Sequence, residues 1–385
     1  MKKIKLSLLP RVIIAILLGI LFGLFCPHWI ARIFITINSL FSSFLGFIIP
    51  LLIVGLVAPG IADLGRSAGR LLAITAVLAY VFTLFSGFLT YFSCNTFLPS
   101  MLEGSTGLDV ASDSAIELLP YFSIDIPPLM NVVTALILAF TIGIGVSIVK
   151  GDYIRNFISE FRDIINEVIV KIIIPILPIY IFGIFLNITL SGQVADVLEV
   201  FVKLIIVIFF MTVALLITQF SIAGAISKKN PLKLLANMLP AYMTALGTQS
   251  SAATIPVTLE QCRKNGVSED IAAFAVPLCA TIHLSGSTMK IVACSMAIML
   301  LTGMSYDFGL YVSFIMMLGI TMVAAPGVPG GAIMAALGVL GSILHFDESA
   351  IALMITLYIA MDSFGTACNV TGDGAIALIV DKIKK

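Results

Sequence analysis

The chain has 385 residues, of which 60% are hydrophobic and only 11% charged, a composition outside the range of a soluble globular domain. Lysine plus arginine (21) equals aspartate plus glutamate (21), and the basic residues are scattered, so there is no electrostatic footprint for nucleic acid. Six cysteines without ligand spacing read as packing residues, neither a disulfide framework nor a zinc site.

Eight apolar stretches approach or exceed the roughly 20 residues a helix needs to cross about 30 Å of hydrocarbon: Val12–Phe25, Phe34–Ala58, Leu71–Phe92, Val132–Val149, Val168–Leu186, Leu204–Ile226, Ile271–Thr302 and Ile351–Val380. The first follows Lys2, Lys3 and Lys5, as a cleavable leader would, yet no small-x-small site follows it and further spans do; it reads as the first span. Basic residues collect at 2–11, 66–70, 150–162, 228–233, 263–264 and 382–385, whereas Cys94–Pro128 has no lysine or arginine and five acidic residues. By the positive-inside rule both termini face the cytoplasm, with Arg32 the one clear exception in the first outer loop.

The segment between Lys228–Lys233 and Arg263–Lys264 must then enter and leave on the same side. Its middle, Thr244–Pro256 (TALGTQSSAATIP), is too polar for a lipid-facing helix, and Gly247 and Pro256 are expected to break it. A second interrupted segment carries AAPGVPGG at Ala324–Gly331, where two prolines and three glycines cannot continue a helix. Either could be a plain broken helix; two such segments in corresponding positions point to re-entrant hairpins around a transporter site.

Two spans carry the chemistry. The seventh holds Thr281, His283, Ser285, Ser287, Thr288 and Lys290; His283 is able to exchange a proton near neutral pH, and a structural role for it and for Lys290 is the alternative. The last holds Asp362, Thr366, Asn369 and Asp373 at intervals of four, three and four, a polar stripe on one helix face. Oxygen ligands in a row suit an alkali cation or a substrate ammonium group; a helix facing a water-filled crevice, or a carboxylate merely paired with Lys290, would look the same.

Three motifs resemble those of the dicarboxylate/amino acid:cation symporters, the family of the glutamate transporters and their bacterial and archaeal homologues: TQSSAATIPVT at 248–258, APGVPGG at 325–331 and NVTGD at 369–373. The resemblance implies an all-α membrane protein with eight transmembrane helices and two re-entrant helical hairpins, assembled as a homotrimer and working by an elevator motion. It implies scaffold helices at 1–65 (helices 1 and 2) and 94–195 (an outer loop, then helices 4 and 5). The moving body would comprise helix 3 at 66–93 and residues 196–385, with hairpin 1 at about 232–261 and hairpin 2 at about 308–345. Ser250 and Ser251 match the hairpin serines around a substrate carboxylate, and Val328 and Gly330 the backbone contacts of the second hairpin. Asp362 matches the aspartate that receives an amino acid's ammonium group, with Gly365, Thr366 and Asn369 beside it. Asp373 matches the carboxylate of one sodium site, completed by carbonyls near His283 and Asn369.

The departures are equally specific. Gly365 stands where members with acidic substrates carry an arginine, and Gln249 where an archaeal member has one, so a neutral amino acid is expected. If Lys290 supplies the counter-charge instead, an acidic amino acid or a C4-dicarboxylate becomes the substrate. His283-Leu284-Ser285-Gly286-Ser287 replaces the family's Asn-Met-Asp-Gly-Thr, losing a sodium-binding aspartate, so coupling to fewer sodium ions, or to protons through His283 or Asp362, is expected. A channel is one rival, since re-entrant loops also build filters. An intramembrane aspartyl enzyme is the other, but Asp362 and Asp373 on one helix lie ~16 Å apart at 1.5 Å rise per residue and cannot form a dyad. The expected location is the cell membrane.

Overall fold

The structure is a computed structural model and describes residues 8–66, 70–102, 118–149, 151–323, 325 and 329–384. Helices and short connections account for all of its regular structure among the described residues. In chain order these are α1 (Leu8–Gly23), α2 (His28–Arg66), α3 (Arg70–Leu102), α4 (Val132–Ile148) and α5 (Tyr153–Val168). A π-helical turn (Ile169–Ile173) joins α5 to α6 (Ile174–Leu190), and α7 (Val194–Ser227), α8 (Pro231–Thr248) and α9 (Ser251–Lys264) follow. The last third contains α10 (Glu269–Ile282), α11 (Ser285–Leu301), α12 (Phe308–Val323), α13 (Gly331–Ile343), α14 (Glu348–Ala360) and α15 (Asp362–Lys384).

By length and composition, five segments among the described residues can cross a membrane, and α14 with α15 makes a sixth if the pair, bent by 62°, is one span. Leu17, Leu21 and Phe22 of α1 are exposed, as suits lipid contact, while Val12 and Ala15 are buried. Within Glu269–Leu301 an 18-residue stretch has 94% of its residues buried inside the protein, which is why the segment can carry a histidine, a lysine and several hydroxyls.

α1, α2, α4, α5 and α6 pack on one another, while α3 and α7 to α13 gather around α11 and α15. The two groups meet where α13 lies on α2 and α14 on α1. A cavity of about 510 Å³ opens along that seam, with Gly46 and Tyr180 on one side and Leu337 and Gly341 on the other.

Several expectations shift. α3 runs nine residues past 93, to Leu102, because Cys94, Leu98 and Leu102 continue a buried face at helical spacing. Hairpin 1 spans Pro231–Lys264, and its helices break at Gln249, not at Gly247 or Pro256. Gln249 is left-handed (φ 54°) and Ser250 caps α9, whereas Pro256 sits inside that helix. The last two spans are not continuous helices: α10 and α11 are interrupted at His283–Leu284, and α14 gives way to α15 at Met361. Glu103, Asp109, Asp113 and Glu117 lie outside the described residues, as does Val328.

Arg32, the exception to the charge rule, has a local task. It donates from Nε to the Leu119 carbonyl (2.9 Å) and lies over the Tyr121 ring, while Tyr121 donates its hydroxyl to the Trp29 carbonyl. The connection before α4 is thereby pinned to α2.

Close helix approach in an apolar solvent depends on small residues. Gly19 and Gly23, a Gly-x-x-x-Gly pair on α1, meet α6 closely: a Cβ at Gly19 would lie 2.6 Å from the Phe182 carbonyl oxygen, and one at Gly23 2.5 Å from the Thr189 Cβ. Gly19→Val is expected to force the two helices apart and to destabilise the protein by about 1–3 kcal/mol. Thermal unfolding in detergent checks this, and an unchanged midpoint would contradict the packing described.

Candidate functional site

The sequence stripe Asp362, Thr366, Asn369 and Asp373 is realised on α15, all four being buried. The bend at Met361 makes Asp362 the first residue of α15, where the unpaired N–H groups and the helix dipole favour a negative charge. Each oxygen of Asp362 has a defined partner. Oδ1 accepts from Lys290 Nζ at 3.0 Å, and Oδ2 accepts from the Gly330 backbone N–H at 2.9 Å. Gly330 adopts a left-handed conformation (φ 75°) at the start of α13, so the tip of hairpin 2 turns its N–H onto the carboxylate where an L side chain would be strained.

Lys290 is fully buried, and its ammonium lies 3.6 Å from the centroid of the Tyr358 ring. A buried charge needs such compensation, and removing one member of a buried pair typically costs about 3–5 kcal/mol. Gly365 supplies the room: a Cβ there would collide with Lys290 Cε and come within 2.7 Å of Nζ. The space beside Gly365 is thus filled by a lysine from the neighbouring helix, and that lysine is paired with Asp362.

Farther along α15, Asn369 serves α11. Its Oδ1 accepts from the N–H groups of Gly286 (2.7 Å) and Ser287 (3.3 Å), capping a helix that has no side-chain cap of its own. Its Nδ2 donates to Ser287 Oγ at 3.0 Å, and the Tyr358 hydroxyl donates to the same oxygen at 3.0 Å. Thr366 hydrogen-bonds its own helix, donating to the Asp362 carbonyl.

Deeper still, Asp373 Oδ1 and His283 Nδ1 are 2.9 Å apart, both groups almost wholly buried. The imidazole is available to this carboxylate because His283 lies in the break between α10 and α11. Its Nε2 has no partner within the described protein, nor does the buried Gln219 Oε1. Both groups crowd Gly372, where a Cβ would lie 2.6 Å from Gln219 Oε1 and from His283 Cε1. Ser285, in place of the family's aspartate, is held by neutral bonds: its Oγ accepts from Gln219 Nε2 (3.1 Å) and its carbonyl from Ser86 Oγ (2.5 Å).

Ser250 and Ser251 stand at the start of α9, which packs against α15. Ser250 Oγ accepts from the Ala253 N–H, and Thr254 Oγ1 donates to the Ser250 carbonyl. The tip therefore presents the N-terminus of a 14-residue helix, a favourable place for a carboxylate. Tyr358, Gln219 and Ser86 are participants that the sequence reading missed. Gln219 had a usable signal, being an amide within the apolar stretch Leu204–Ile226.

Replacing Asn369 by alanine would leave the Gly286 and Ser287 N–H groups buried without their acceptor, at about 1–3 kcal/mol. The thermal midpoint of the Asn369→Ala protein is expected to fall accordingly; a wild-type melting curve would show that the cap contributes nothing.

A family model described as the sodium:dicarboxylate symporter family matches residues 8–383. The serine/threonine transporter SstT of Streptococcus suis (strain 05ZYH33) is 27% identical over 342 residues, which cover 86% of this chain and 93% of the relative. With a match that spans nearly every residue of the helical assembly, the chain belongs to the sodium:dicarboxylate symporter family.

Proposed function

We propose that this multi-pass membrane protein is a cation-coupled symporter of small neutral α-amino acids. The observation that carries the reading is the double engagement of Asp362: a carboxylate within the membrane-spanning assembly whose second oxygen is held by a hairpin-tip N–H, a contact that a solute ammonium group can replace. The amino acid's carboxylate would lie at Ser250 and Ser251 on the N-terminus of α9, with Gly330 and, beside Asp362, Thr366 and Asn369 completing the site. The relative named as a serine/threonine transporter supports a small hydroxylated or aliphatic side chain. An acidic solute is disfavoured, because Lys290 is already committed to Asp362.

In this reading α1, α2, α3, α4, α5–α6, α7, α10–α11 and α14–α15 are the eight spans, and α8–α9 and α12–α13 the two re-entrant hairpins. The body built around α11 and α15 would move against α1, α2, α4, α5 and α6 as an elevator within a homotrimer, with both termini cytoplasmic and the cell membrane as its location. The seam cavity between α2 and α13 suits two bodies that slide. Sodium would be taken at Asp373 with carbonyls near His283 and Asn369. Ser285, tied to neutral partners, argues for fewer sodium ions than the glutamate-transporting members use.

Reconstituted protein is expected to accumulate labelled L-serine saturably under an inward sodium gradient. Asp362→Ala should lower that uptake at least about tenfold, the scale of one lost charged hydrogen bond. Asp373→Ala should instead raise the sodium concentration needed for half-maximal uptake about tenfold. Undiminished serine uptake by Asp362→Ala would refute the site. Uptake that needs several sodium ions per serine would refute the reduced coupling, and uptake driven by a proton gradient alone would replace sodium by protons as the coupling ion.

A further inference from the structure

Lys290 has features of a charge built into the site. Its side chain is fully buried, its ammonium contacts one oxygen of Asp362 at 3.0 Å, and its remaining face is laid on the Tyr358 ring at 3.6 Å. The space it fills exists only because residue 365 has no side chain. Tyr358 is itself fixed, donating its hydroxyl to Ser287, which Asn369 also holds. Lys290, Tyr358 and Ser287 need not move when a solute ammonium group arrives, since the contact it would replace is that of the Gly330 N–H with Asp362 Oδ2, while Oδ1 stays with Lys290.

We infer that Lys290 is a specificity-determining residue: a resident cation that holds the net charge of the site at zero and so restricts the solute to amino acids without net charge. The inference rests on the amino-acid symport reading above and adds to it the charge class and the residue that sets it. Asp362 and Lys290 cancel, and a zwitterion adds an ammonium group at Oδ2 and a carboxylate at the start of α9, leaving the sum unchanged. A solute with a second carboxylate adds an uncompensated negative charge, and one with a second ammonium group an uncompensated positive charge. In an interior shielded from water either is strongly disfavoured. Lys290 cannot turn to a second carboxylate without abandoning Asp362, so the lysine excludes acidic solutes where a free cation would attract them.

The charge count makes opposite predictions for two variants. Lys290→Met leaves the site with one negative charge, and Asp362→Asn leaves it with one positive charge. Purified full-length protein would be titrated by thermal shift with L-serine, L-aspartate and L-2,4-diaminobutyrate, whose net charges at neutral pH bracket zero. Wild type is expected to bind serine in preference to both others. In Lys290→Met the ratio of affinities should move at least about tenfold from serine toward diaminobutyrate, and in Asp362→Asn at least about tenfold from serine toward aspartate. A Lys290→Arg protein, which keeps the charge, should keep the preference for serine. A general loss of packing would weaken all three ligands together, so the ratios separate the two explanations, and either charge-altered variant that folds decides the matter. Variants that still bind serine with unchanged ratios would overturn the role of Lys290 while leaving amino-acid symport standing. A wild-type protein that is folded yet stabilised by none of the three solutes would overturn the symport reading itself.

Discussion

An ionised carboxylate in the middle of a membrane protein has to be compensated on every side that water would otherwise occupy, and Asp362 meets this requirement with three separate elements. The bend at Met361 gives it the start of α15, Lys290 gives it an ammonium from α11, and the tip of hairpin 2 gives it the Gly330 N–H. Each of these has its own dependence. The lysine needs the bare backbone of Gly365 and the ring of Tyr358, and the N–H needs the left-handed turn that glycine adopts without strain. Four elements, α11, α13, α14 and α15, are thus placed by the need to satisfy one charge.

The same reasoning explains why the helices are broken where they are. Interrupted backbone at membrane depth is tolerated where protein satisfies its polar groups. The break at His283–Leu284 frees the first N–H groups of α11, and Asn369 accepts from two of them; it also releases the imidazole toward Asp373. The break at Gln249 is absorbed by Ser250 and Thr254 within the hairpin tip. In each case the partner is a short polar side chain whose position in the sequence looks anomalous in an apolar run.

That anomaly is what made much of the architecture legible. A serine-rich stretch and a glycine-proline stretch inside hydrophobic segments marked the breaks between α8 and α9 and between α12 and α13, and four polar residues at helical spacing announced the buried stripe of α15. Where the sequence misled, geometry between distant segments was at work. Gly247 and Pro256 seemed the natural breaking points of hairpin 1, but Pro256 is the sixth residue of α9, where it removes one backbone bond without ending the helix, and the left-handed residue proved to be Gln249. The bend at Met361 has no glycine or proline to mark it. Tyr358 and Ser86 matter only because other helices bring Lys290 and Ser285 against them, and no local pattern carries that information. Lys290 itself was visible as a transmembrane cation, yet its two readings, substrate partner or counter-ion of Asp362, could be separated only by seeing which carboxylate it faced.

The two hairpins present different groups to the site, and the difference bears on which one can respond to a solute. At the base of hairpin 1, Asn265 accepts from Lys229 Nζ at its carbonyl (2.6 Å) and from Asn237 Nδ2 at its side-chain oxygen (2.8 Å), and donates to the Leu234 carbonyl (3.0 Å). Those bonds tie α8, α9 and the end of α7 together before the tip is reached. The tip of hairpin 2 meets the site through an N–H group bound to Asp362 Oδ2. A backbone N–H donates one bond at a time, and an arriving ammonium group is a stronger donor to a carboxylate than an amide is. In the proposed cycle the solute therefore competes for the very oxygen that holds the second hairpin in place, while the first hairpin, anchored at its base, presents a fixed helix terminus to the solute's carboxylate.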